Sequence, residues 1–220
     1  MQLKIIHEGP GYVVIHKPAG IATEKNFDND TVEARALVQW KRPRSTKTPF
    51  VGIVHRLDRP VSGCLLLARN KSTLRLLNQA FADKRVMKTY VALTNAPLPE
   101  EKGRLRHYLA RDKFGRKAIA ATRPLPKAKE SVLEYQLLQR TDGGYLYEIT
   151  PVTGRFHQIR VQLATAGAPI VGDATYGSER IYLPHCICLH AGRLVFPDPA
   201  GGEMVDVTTP LPAWPHNIAG

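Results

Sequence analysis

The stretch GIVHRLDRPVSGCLLLARN, residues 52 to 70, sets one carboxylate, Asp58, among three guanidiniums, Arg56, Arg59 and Arg69, and then runs into a wholly apolar segment. A carboxylate among cations is favoured in its charged form, and it is either half of a structural salt bridge or an ionised group with work to do. A second constellation, GRFHQIRVQLATAG, reads as a helix ended by Gly167. Phe156, Ile159, Leu163 and Ala166 form its apolar stripe, with Arg160 at the edge, where a partly desolvated guanidinium needs an acidic partner. Asp58 is one candidate, and spacing alone leaves the pairing open.

Two cysteine-bearing stretches invite other chemistry. PHCICLH groups His185, Cys186, Cys188 and His190, but structural zinc sites use a two-residue spacer and a second distant pair, and the alternation reads as a strand. No metal site is assigned. Cys64 opens an apolar run without a recognisable histidine partner and reads as a small core residue. There is no phosphate loop, dinucleotide fingerprint or kinase signature, so no cofactor is implied.

The elements that must position these residues come from periodicity. LKIIHEG and GYVVIHK, split by Gly9-Pro10-Gly11, form a hairpin. DTVEARALVQW begins a helix with an Asp30 or Thr31 cap, Glu33 supporting the first turn, and KRPRSTKTP breaks it. GCLLLARN is a buried strand, KSTLRLLNQAFADK a helix with Leu74, Leu77 and Phe81 on one stripe, and VMKTYVALT a strand. Residues 97 to 130, rich in Pro, Lys and Arg, read as a lobe or excursion from the main sheet. SVLEYQLLQR and YLYEITPV flank Asp142-Gly143-Gly144 as a hairpin. Short strands near 187–195 and 203–208 finish a chain with no internal repeat. The pattern predicts a single α+β domain: a mixed, largely antiparallel sheet with flanking helices.

Composition bounds the partners. Thirty-one Lys and Arg against nineteen Asp and Glu leave a net charge of +12 over 220 residues, which favours a polyanion, nucleic acid first. Three unpatterned cysteines suit a reducing compartment. The sequence shows neither a signal peptide nor a run of about 18 apolar residues, so a cytoplasmic protein with no membrane association is expected.

Five ordered blocks then carry a resemblance: HRLDRPVSG (His55 to Gly63), KTYVAL (Lys88 to Leu93), TGRFHQIRVQL (Thr153 to Leu163), PIVGDATYG (Pro169 to Gly177) and LHA (Leu189 to Ala191). With the opening YVVIHKPAG, they resemble the RluA-type family of RNA pseudouridine synthases over nearly the whole chain. The resemblance implies a cofactor-free isomerase that detaches uracil from ribose within an intact RNA and rejoins it through carbon 5. Asp58 would be the essential catalytic aspartate, attacking ribose carbon 1 or uracil carbon 6, or abstracting a ribose proton. Arg160 would keep that acid ionised, and Tyr90 would lie against the uracil face. Arg56 would fill the space left by the flipped uridine, with Arg155 and His157 as further RNA contacts.

Arg59-Pro60-Val61 resembles the TruC-like subgroup, which shifts the substrate toward transfer RNA without separating it from ribosomal RNA. The chain is read as a catalytic domain without the small N-terminal RNA-binding domain of many relatives, and no obligate protein partner is evident. Phosphate contacts would then come from KRPRSTK, RDKFGRK and RPLPKAKE, each by itself more simply a solvated surface. The competing reading is a catalytically silent RNA-binding or ribosome-assembly factor on the same fold.

Overall fold

The computed structural model describes residues 2–25 and 30–214. In chain order the elements are β1 (Lys4–Gly9), β2 (Tyr12–Lys17), α1 (Val32–Gln39), β3 (Gly52–Ile53), β4 (Ser62–Ala68), α2 (Lys71–Ala82), β5 (Met87–Thr94), β6 (Lys102–Arg111), β7 (Ala118–Ala121), β8 (Lys129–Thr141), β9 (Gly144–Pro151) and α3 (Gln158–Thr165). A 3₁₀ turn at Ala174–Tyr176 precedes β10 (Leu189–Pro197) and β11 (Met204–Thr208). This is the α+β class that the pattern predicts. The described residues divide into two compact units, the first running to Lys88 and taking in Ala191–Leu211, the second holding Thr89–His190 and residues 212–214.

In the first unit the strand order is β1-β2-β4-β10, with β11 on β10 and β3 on β4. The β1–β2 turn is closed by Gly11 at φ 81°, a backbone that glycine adopts without strain. Every residue of β4 is buried, because the sheet is covered on both faces. Tyr12, Val14, Cys64, Leu66, Leu77, Leu194 and Phe196 form one core cluster, with Leu74 and Phe81 of α2 packed against it. Gly63 lets β4 approach β10, since a Cβ there would lie 2.3 Å from the Ala191 carbonyl oxygen. Asn70 caps α2 through Thr73 N–H, and Thr31 caps α1 through Ala34 N–H. Glu33 stands in the first turn of α1, where its charge favours the helix N-terminus, and its carboxylate also accepts from Lys25 N–H, while Asp30 pairs with Arg35.

The second unit carries the antiparallel run β5-β9-β8-β6-β7. Residues 97–130 are therefore not an excursion from a sheet: β6 and β7 extend one. The exposed face of β6 carries the charges that mask a period of two: Lys102, Arg104 and Arg106 lie outward, while His107 and Leu109 on the other face are buried. Asp142-Gly143 makes the predicted turn from β8 to β9. The helix expected from Gly154 begins only at Gln158, because His157 takes a left-handed backbone, φ 53°. Phe156 therefore stands in the preceding turn. The CICL alternation is also not a strand up to Cys188; the strand starts at Leu189.

Candidate active site

In the first unit Asp58 stands, half-buried, in the loop between β3 and β4. The backbone on both sides of it is tied down. Lys17 at the end of β2 is fully buried, and its ammonium donates to the carbonyls of Pro18 (3.0 Å), Arg59 (3.2 Å) and Val61 (2.7 Å). Three donors meet three acceptors, which is what makes a buried lysine tolerable. Gly20 N–H donates to the Arg59 carbonyl at 2.8 Å, and Arg59 Nε donates back to the Gly20 carbonyl at 2.9 Å. The Thr23 hydroxyl donates to the Leu57 carbonyl at 2.9 Å and accepts from Leu57 N–H. Val61 N–H closes a turn on the Asp58 carbonyl at 3.0 Å. The KPAG turn and the HRLD loop thus form one hydrogen-bonded body.

His55 ends the β3–β4 ladder. After the pairs Gly52–Ala68 and Ile53–Leu67, the next β4 amide, Leu66 N–H, donates to His55 Nε2 at 3.1 Å. Burial, helped by the nearby Lys88 charge, lowers the His55 pKa to about 3, so the ring is neutral as that bond requires. The ring stacks on Phe81 at 5.2 Å between centroids, and the Lys88 ammonium, its pKa pushed down by burial, lies 5.8 Å from the same phenyl ring. Arg56 is exposed and pairs with Glu24 at 2.9 Å, an exposed contact that costs little to break.

In the second unit Tyr90 is buried on β5, opposite Ile149 of β9. Arg160 lies on a helix buried nearly all round, not at the edge of a stripe, and its guanidinium meets Asp173 through two hydrogen bonds, Nε to Oδ2 at 2.7 Å and Nη2 to Oδ1 at 2.8 Å. The Tyr176 ring lies 5.1 Å from the same guanidinium. Tyr176 accepts from Ala118 N–H at 2.8 Å, and its hydroxyl shares a hydrogen bond with His157 Nδ1 at 2.9 Å. The turn before α3 is held by Gln158. Its Oε1 accepts from the Thr153 hydroxyl and Arg155 N–H, and its Nε2 donates to the Val132 carbonyl. That turn leaves Arg155 exposed and stacks Phe156 on His157 at 3.8 Å, with the Arg111 guanidinium 4.0 Å from the Phe156 ring.

Each residue singled out from the sequence thus lies on a loop or buried element held by specific bonds: Asp58 and Arg56 in the first unit, Tyr90, Arg155, His157 and Arg160 in the second. Lys17, Asp173, Tyr176 and Arg111 were missed as positioning groups. The first three lie inside stretches quoted for the resemblance, and Arg111 opens the basic stretch RDKFGRK, read from the sequence only as a source of phosphate contacts.

A profile of the RNA pseudouridylate synthase family matches residues 11–165. The ribosomal large subunit pseudouridine synthase D of Borreliella burgdorferi is 37% identical over 80% of this chain and 55% of its own length, so this chain spans about half of that relative. The ribosomal large subunit pseudouridine synthase C of Rickettsia felis is 33% identical over 96% of this chain and 68% of its own. Among solved structures, human RNA pseudouridylate synthase domain containing 1 superposes with a TM-score of 0.77 at 27% identity, over 95% of this chain and 83% of that one. The matched span contains the Lys17 and Asp58 loops, Tyr90 and Arg160, and the chain belongs to the RNA pseudouridylate synthase family, in its RluA-type branch.

Proposed function

We propose that this protein isomerises uridine to pseudouridine in RNA, with Asp58 as the carboxylate that reacts with ribose or uracil. The observation that supports it most is the loop around Asp58. A buried lysine and two reciprocal backbone ties hold one half-buried carboxylate, a preorganisation that a merely solvated surface acid does not need. A carboxylate so held can attack ribose carbon 1, add to uracil carbon 6, or take a ribose proton. Tyr90 and Arg160 keep the supporting roles that the family resemblance gives them, and Arg56 exchanges its bond to Glu24 for the gap left by the flipped nucleotide. Ribosomal RNA is the first substrate to test, because both bacterial relatives carry it in their names, and transfer RNA is the second.

Mapping pseudouridines by carbodiimide labelling and primer extension, in ribosomal and transfer RNA from cells lacking the protein, tests the reading. At least one uridine is left unmodified in those cells, is restored by the wild-type protein and is not restored by Asp58→Ala. Identical maps in all cells would leave a catalytically silent RNA-binding or assembly factor as the better reading.

A further inference from the structure

The turn joining β6 to β7 has an unusual makeup. Phe114 stands at its tip, 69% exposed, in the run Arg111-Asp112-Lys113-Phe114-Gly115-Arg116-Lys117. An exposed phenylalanine on a slack loop would say little. This loop is built. Asp112 N–H donates to the Lys117 carbonyl and Gly115 N–H donates to the Asp112 carbonyl, both at 2.9 Å, while the Asp112 carboxylate accepts from Arg116 N–H at 2.7 Å and Lys117 N–H at 3.2 Å. Gly115 takes φ 68°, the backbone that closes the turn with Phe114 outward. The single acid of the tip is thereby engaged by backbone, and the side chains of Arg111, Lys113, Arg116 and Lys117 are all exposed. The Lys113 ammonium lies 4.8 Å from the Phe114 ring centroid.

We infer that this tip is a contact for an unpaired nucleotide of the RNA substrate, with the base stacked on Phe114 and the flanking phosphates on the surrounding cations. Aromatic rings among cations are the chemistry by which proteins hold single-stranded RNA, since every base has a π face and every linkage a charge. Arg111 joins the tip to the rest of the unit: its guanidinium packs on Phe156, next to Arg155 and His157, which are RNA contacts in the reading above. The inference rests on that reading but is tested apart from the chemistry.

The probes are a labelled 20-nucleotide oligouridine and a 20-base-pair RNA duplex, titrated by fluorescence anisotropy into the full chain. Phe114→Leu keeps apolar bulk and removes the π face. It weakens oligouridine binding by about 5- to 160-fold, the loss that corresponds to one base–aromatic stack, and changes duplex binding far less. Phe114→Trp keeps the affinity, and its added indole fluorescence is quenched by oligouridine. Unchanged oligouridine affinity in Phe114→Leu, or no quenching in Phe114→Trp, overturns the inference and leaves the isomerase reading, which is judged by the pseudouridine map, where it stood. An equal loss on both probes also overturns it, because the tip would then act only as charge.

Discussion

Lys17 and His55 show how single side chains make a loop rigid without touching its functional group. Lys17 replaces water on three carbonyls at once, and His55 supplies the acceptor that strand β3 no longer offers to Leu66. His55 has a consequence for acid stability. Its pKa is about 3 in the folded protein and near 6.5 in an unfolded chain, so between those values the unfolded state binds a proton that the folded state does not. The stability this group contributes is complete above pH 6.5 and is lost as pH falls toward 3, at about 1.4 kcal/mol per pH unit. His16 and His107 are also lowered by burial and act in the same direction. Urea unfolding at pH 7, 6 and 5 therefore gives a shallower decline for His55→Gln, whose amide oxygen can still accept from Leu66, than for the wild type. Parallel declines would show that His55 does not carry this coupling. The sequence made Asp58 conspicuous through its arginines but gave no hint of Lys17 as its anchor, because a lysine before a proline reads as surface until its carbonyl partners are placed.

At the scale of elements, α3 shows where pattern reading fails. The apolar spacing from Phe156 through Leu163 fits a helix, yet Gln158 draws Thr153 and Arg155 into a tight turn and His157 adopts a left-handed backbone, so helix formation starts four residues late. Burial on every side then places Arg160 in the interior, where spacing along the helix could not identify Asp173 as a partner. The pair is 5% and 1% exposed, which makes it costly to break from one side. Arg160→Met is expected to destabilise the fold by about 3–5 kcal/mol, and the double variant Arg160→Met/Asp173→Leu to recover much of that loss. Urea unfolding of the four proteins of this cycle measures the coupling. Additive losses would contradict the pairing. The strands β6 and β7 were illegible for different reasons: the outward positions of β6 carry so many cations that the segment resembles a basic loop, and β7 is only four residues long, too short to show a period.

Across the whole molecule, what was legible was whatever repeats with a short period or sits in a contiguous block: both hairpins, the buried β4, the amphipathic α2 and the five stretches that mark the family. What was not legible depends on residues distant in sequence, such as Lys17 with Arg59 or Arg160 with Asp173. The charge of +12 adds attraction for any RNA, so binding by itself cannot distinguish a modifying enzyme from a basic scaffold. Chemistry can. Isomerisation must expel the hydrogen on uracil carbon 5, so the decisive measurement is tritium release from carbon-5-labelled RNA of cells lacking the protein, comparing wild type with Asp58→Ala on samples of equal RNA affinity. Release by the wild type and none by Asp58→Ala is the result predicted here. Release of equal rate from both would show that the reaction does not pass through the Asp58 carboxylate.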